Sequence, residues 1–421
     1  MCKPRVKWTL CTLIVLFMLA VNCHGSDNKV HVLMVGKGAG NLPVGWASDP
    51  LVDFTNVPMG DYFVYKIEEA RRMVRLYFPR SKEAMAEFEF LWLNAVYVES
   101  LTNSQIESLR TAIVEGGSGS FTGGGGLTKN WGEGVNRPWV ESTLADVYPN
   151  DPDASDLWEK YRNSLGPRGY QVVVNKDPSL PPVLSMFIPL GIEELRSAYL
   201  VLMKPQQGAT TWAWASGAYP GILGGDPPLL LSWEYGEGMT WTIGQVGGPE
   251  GLWRDQVYGL DMLVNIILHS LGRPLPEDII LVNTIRQRFR LMTERVSSLY
   301  SFMEFVERFG ASSSRMMDEQ RVVEGIVEEA EDLYLDGLYQ ESLSELERGE
   351  EFIQELERKT VRWKDQALLW IYTIEWALVT GTFTLAGSFT YMIMLKRRLY
   401  RQAGFTTFRK EGESSGKNWC D

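Results

Sequence analysis

Ser118 and Ser120 are the side chains of this sequence that could serve as nucleophiles, with Glu115 or Glu237 as acidic partners. A serine hydroxyl is a weak nucleophile until a base within hydrogen-bond reach takes its proton. The local run Gly116-Gly-Ser-Gly-Ser-Phe121 does not satisfy G-x-S-x-G around either serine. Histidine is scarce: His24, His31 and His269 are all there are. Thiol chemistry is absent from the middle of the chain, because Cys2, Cys11, Cys23 and Cys420 all lie near the ends. Residues 26–365 therefore hold no disulfide, no cysteine-ligated zinc and no thiolate nucleophile. The competing reading of Ser118 and Ser120 is structural: small residues let backbones pass closely at the end of a sheet.

Binding residues are suggested by glycine and tryptophan. Gly36-Lys37-Gly38-Ala39-Gly40 follows an apolar run, as a phosphate loop would, but Asn41 stands where a dinucleotide fingerprint needs its third glycine. A loop at the ligand-facing edge of a sheet is the alternative. Gly123 and Gly124 open a second glycine turn. Trp212 and Trp214 alternate in Thr211-Trp-Ala-Trp-Ala215, which puts both rings on one face of a strand. With Trp253 they could stack on a sugar or anchor a partner, or they could be core. Asn150 to Asp156 carries three aspartates, without the glycine and closing glutamate of an EF-hand, and reads as a solvated turn. No metal and no cofactor is expected.

The elements that must position these residues alternate between strand and helix. Strands are expected at Val30–Val35, Phe88–Val96, through Phe121, at Tyr170–Val174 and Ala198–Met203, with a hairpin of Leu229–Trp233 and Met239–Val246 around Gly236-Glu-Gly238. Helices are expected over Lys66–Phe78, over Gln105–Val114 with Ser104 as cap and Glu107 as its capping-box partner, and over Gln256–Leu271, with Leu260, Leu263, Val264, Ile267 and Leu271 on one face. This is an α/β pattern: a mostly parallel sheet sandwiched by helices. After Pro274 and Pro276 the texture changes to Glu, Arg and Leu. Three helices are expected, about Val282–Phe309, Met316–Leu335 and Leu338–Arg362, forming a small bundle over residues 281–365. Ala330 to Leu343 is similar to the turn of a tetratricopeptide unit, but a solenoid needs several units.

The ends place the chain at a membrane. Lys3, Arg5 and Lys7 precede an apolar Trp8–Val21, and small or polar residues follow to Gly25, the pattern of a secretory signal over residues 1–25. Leu368 to Leu395 carries a single formal charge, Glu375, and is long enough to cross a bilayer. Lys396, Arg397, Arg398 and Arg401 follow at once and mark residues 396–421 as a cytoplasmic tail. The middle is then extracytoplasmic. Glu375 is either functional or snorkels outward beside Trp370, Tyr372 and Trp376; Ala377-x-x-x-Gly381 could pack a second helix. The net charge of −12 argues against nucleic acid as a partner. The expected partners are the bilayer, and a protein or second copy met through the bundle and the span.

Two stretches resemble the glutamine amidotransferase-like family of the class I amidotransferase fold. One is Glu115-Gly-Gly-Ser-Gly-Ser-Phe-Thr-Gly-Gly-Gly-Gly126 with Trp131-Gly132. The other runs from Pro227 to Asp278, with Gly236-Glu-Gly238, Tyr258-Gly259 and Gly272-Arg-Pro-Leu-Pro276. The resemblance implies a flavodoxin-like, class I amidotransferase-like fold over residues 26–280. It also implies a nucleophile elbow at Thr122–Gly126. The family's cysteine and partner histidine are missing from the corresponding positions, so the resemblance implies a scaffold without glutaminase activity. The reading is a membrane-anchored, non-catalytic binding module. A hydrolase with a replaced serine nucleophile and a sugar-binding receptor are the alternatives.

Overall fold

The computed structural model describes residues 28–36, 49–59, 67–94, 96–123, 139, 141–151, 170–194, 196–197, 200, 202–217, 225–244, 257–307 and 314–413. Nine strands form one sheet: β1 (Val30–Gly36), β2 (Val52–Pro58), β3 (Phe90–Asn94), β4 (Gly119–Gly123), β5 (Tyr170–Val174), β6 (Arg196–Ser197), β7 (Thr210–Ser216), β8 (Pro228–Tyr235) and β9 (Gly238–Ile243). Their order is β2-β1-β3-β4-β9-β8-β7-β5-β6. The first five neighbours pair in parallel and the remaining pairs are antiparallel, so β8 and β5 run against the rest. The helices are α1 (Ile67–Tyr77), α2 (Lys82–Ala86), α3 (Asn103–Val114), α4 (Gly259–Ser270), α5 (Ile279–Glu307), α6 (Ser314–Leu335) and α7 (Tyr339–Glu413). The α/β class expected from the sequence holds.

β1 and β3 are largely apolar because both faces of the sheet are covered there. Along β1, Val30, Val32 and Met34 enter one core while Leu33 and Val35 enter the other; along β3, Phe90 and Trp92 part in the same way from Leu91 and Leu93. The first core is closed by α4, through Met262, Leu263, Ile266 and Ile267. The second is closed by α1 and α3, through Ala70, Val74, Ile106, Leu109 and Ile113. α4 is buried nearly all round, from Asp261 to Leu268, rather than along one stripe. Asn265, fully buried on the same helix, donates to the Val183 carbonyl at 3.4 Å.

α3 begins two residues before the expected start. Thr102 is its cap: the Thr102 hydroxyl accepts from the Gln105 backbone N–H (3.3 Å), and the Gln105 side chain accepts from the Thr102 N–H (2.9 Å). The run T-x-x-Q satisfies the capping box one position pair earlier than Ser104 and Glu107 would. Ser104 instead lies inside the helix, its carbonyl accepting from Ser108. The two-residue β6 directly precedes the expected strand at Ala198–Met203, of which residues 198, 199 and 201 lie outside the described set.

The chain divides into two units, one comprising residues up to Glu294 with Glu324–Glu350, the other Arg295–Val323 with Glu351–Asp421. In the first, α6 and α7 turn on Gly337 at φ +77°, and Ser342 Oγ donates to the Ala330 carbonyl at 2.7 Å across the hairpin. The start of α5 and the hairpin thus belong with the sheet. In the second, Lys359 pairs with Glu319 at 3.3 Å. Leu368–Arg401 of α7 is long and apolar enough to cross a membrane, and none of it is buried. Its hydroxyls turn inward: Thr373, Thr380, Thr382, Thr384 and Thr390 each donate to the carbonyl four residues back, at 2.7–2.8 Å.

Candidate functional site

The end of α3 brings the sequence-derived candidates together. Its last carbonyls are taken by the turn that follows: Thr111 O accepts from Glu115 N (2.9 Å), and Ala112 O accepts from Ser118 N (3.1 Å). Gly117 makes the reversal at φ +68°. The β8–β9 hairpin docks on this turn through Glu237 N, which donates to Val114 O at 2.9 Å. The approach is close enough to demand glycine: a Cβ on Gly238 would stand 2.4 Å from Ile113 O and 2.7 Å from Ser118 O. Glu115 and Glu237 are both exposed beside it.

A cavity of about 480 Å³ opens here, at the amino-terminal ends of β3 and β4. Met85, Phe88 and Leu271 supply apolar walls, and Lys82, Glu115 and Ser118 supply polar ones. Its volume is that of a small-molecule site. Glu89 also lines it but is engaged by Arg273, whose guanidinium donates to Glu89 at 2.8 Å and to the Asn28 carbonyl at 2.7 Å. Lys82 and Glu115 are exposed and have no ion-pair partner among the described residues.

Neither serine is set up to attack. Ser118 Oγ donates to the Phe88 carbonyl at 2.9 Å, and Ser120 Oγ donates to the Leu91 carbonyl at 3.0 Å. Ser120 is fully buried and shares a 2.6 Å hydrogen bond with the Tyr148 hydroxyl. Burial pushes the Tyr148 phenol far above its ordinary range, with the Ser120 hydrogen bond only partly opposing. A phenol held protonated is a donor, not a base. His269 packs edge-on to Trp212 and Trp241, at 5.5 and 6.0 Å between ring centres, and burial lowers its pKa against the opposing pull of Glu234. His31 is exposed beside Asp53 at 3.2 Å.

The glycines of the carboxyl edge have structural duties. Gly36 pairs with Asn94 at the end of β1, at φ +125°, where an added Cβ would stand 1.9 Å from Asn94 O. Gly123 closes β4 opposite Asn94. Gly38 and Gly124 lie outside the described residues, as does most of Asn150–Asp156. The alternation expected for the tryptophans is broken. Pairing of β7 with β8 slips on both sides of Ala213, so Trp212 and Ala213 are buried in succession. Such a bulge puts two residues opposite one and re-aims the side chains that follow. Trp212 is 4% exposed, donates to Ser232 Oγ at 2.7 Å and stacks at 5.1 Å on Trp241. Trp214 is half-buried, and Trp253 lies outside the described residues. Trp212 therefore belongs to the core and not to a sugar-binding surface.

Sequence reasoning passed over a buried ionic cluster. Arg286 on α5, 5% exposed, reaches Asp49 Oδ2 at 2.8 Å and donates to Asp261 on α4 and to the Tyr334 hydroxyl of α6 at 2.9 Å. Asn283 donates to the second Asp261 oxygen at 2.6 Å, and Leu51 N donates to Asp49 Oδ1 at 2.9 Å. Burial raises the Asp261 carboxyl; Arg286 and Asn283 oppose it, and Asp49 adds to the rise. The signal was present in the spacing: Arg286 occupies a core position in Val282, Ile285, Phe289 and Met292, where a cation needs a buried acid.

No family model and no curated protein matches the chain. Among solved structures, the cytoplasmic protein STM1381 from Salmonella typhimurium LT2 aligns with a TM-score of 0.39 and 14% identity, over 57% of this chain and 99% of that one.

Proposed function

We propose that the chain is a membrane-anchored binding module, with its α/β unit held on the extracytoplasmic side and its basic end in the cytoplasm. The observation that carries the non-catalytic part is the engagement of both serines: each hydroxyl is donated to a backbone carbonyl, and among the described residues no histidine or carboxylate accepts from either. The cavity beside Ser118 supports ligand capture, since apolar walls meet the exposed charges of Lys82 and Glu115. The apolar span Leu368–Arg401 and its cations support the anchoring and its direction. The amidotransferase-like resemblance enters this proposal only as a scaffold stripped of its thiol and imidazole.

A second reading has one observation in its favour: Ser118 lies on the wall of the cavity. A broad fluorophosphonate probe separates the two. Incubated with the full chain in detergent and read by intact mass, it should leave no adduct. A stoichiometric adduct lost in Ser118→Ala would make the protein a serine hydrolase. Orientation is tested separately, by protease protection of the α/β unit in sealed vesicles.

A further inference from the structure

Two carboxylates and one guanidinium share the buried site around Arg286. With both acids ionised, the site holds one negative charge too many. An uncompensated charge away from water is costly, and the usual remedy is a bound proton. The elements meeting there are the segment before β2 (Asp49), α4 (Asp261), α5 (Asn283, Arg286), α6 (Tyr334) and α7 (Tyr339). Both tyrosines are pushed up by burial, so they stay neutral and cannot supply the missing positive charge. Other ion pairs tie the same elements together at the exposed or half-exposed rim: Lys29 with Glu331, and Arg288 with Glu347 and Glu350.

We propose that Asp49, Asp261 and Arg286 form a proton-gated clasp, closed when the site binds one proton, that fastens the helix pair Glu324–Glu350 to the α/β body. This goes beyond the binding role, because it gives the unit two states. α7 runs on from this packed stretch into the apolar segment, so whatever loosens the clasp acts on the helix that meets the membrane.

The sign follows from burial. The closed site holds the Asp261 carboxyl above its ordinary value, whereas an opened, solvated site does not. Closure is therefore fully favoured below the ordinary carboxylate range and is lost as pH rises through the raised value.

Hydrogen exchange on the full chain in detergent, from mildly acidic to mildly alkaline pH and corrected for intrinsic exchange, reads this directly. In the wild type, the opening constant of Glu324–Glu350 should rise with pH between the ordinary carboxylate range and the site's raised value, by at most about tenfold per pH unit, the slope of one proton, and level off above it. Asp261→Asn and Asp49→Asn each remove the surplus charge, and in at least one of them opening should become flat with pH and stay low. A pH-independent wild type would overturn the proposal. So would unchanged pH dependence in both variants, or both opening more readily than wild type at every pH. None of these outcomes depends on whether a ligand is ever found for the cavity.

Discussion

The Arg286 cluster and the cavity at the end of α3 both set charged side chains against apolar ones, and they treat the charge in opposite ways. Around Arg286 the charged groups point at one another or at backbone, away from water, with Asp49 Oδ2 held by the ion pair alone. At the cavity, Lys82 and Glu115 stand exposed beside Met85 and Phe88 with no ion pair on either among the described residues, while Ser118 is spent on a backbone carbonyl. Charge consumed by the fold marks an architectural joint. Charge left over beside a hollow marks a surface that something else can use.

The sharpest way to break this contrast is to remove the cation from the buried site. Arg286→Met leaves two buried acids unpaired and should destabilise the α/β unit by about 3–5 kcal/mol in urea unfolding followed by tryptophan fluorescence. Adding Asp261→Leu should recover part of the loss, because an apolar replacement needs no partner; no recovery would mean that the packing, not the charge, was at stake. Next in size is Ser120→Ala. It strands the Tyr148 hydroxyl and the Leu91 carbonyl in the core, for about 1–3 kcal/mol by the same measurement. Ser118→Ala loses one partly buried hydrogen bond, about 1 kcal/mol. At the small end, Lys82→Gln and Glu115→Gln should leave the unfolding midpoint unchanged, because both residues are exposed and unpaired. If either shifts the midpoint clearly, the cavity charges are structural after all and the contrast collapses.

How far the sequence reached depends on where each signal was stored. β1 and β3 were legible because their residues are apolar over a short run, which a doubly covered strand requires, and β5 because Tyr-Gln-Val-Val-Val is β-prone. β2 was passed over: Val-Asp-Phe-Thr-Asn-Val-Pro is an edge strand, half exposed and half polar, and carries no run to read. The β7 slip was invisible for another reason. Thr-Trp-Ala-Trp-Ala alternates perfectly, and only pairing with β8 reveals the extra residue. Of the candidate site, the gathering of Glu115, Ser118 and Glu237 at one turn agrees with the sequence reading. The neutralisation of the serines does not show in it, since their acceptors are backbone carbonyls of β3 and the residue two before it. The Asp49–Arg286–Asp261 cluster draws on segments far apart in the chain, so only the lone arginine in an apolar stripe could announce it.

The threonines of α7 bear on how the bilayer would count this helix. By composition they dilute the apolar run, yet each hydroxyl bonds to the carbonyl one turn behind it and offers its methyl group outward. To the lipid the helix therefore presents a greasier surface than its formula suggests. Exchanging these threonines for valine would alter its partition into hydrocarbon far less than side-chain transfer scales imply.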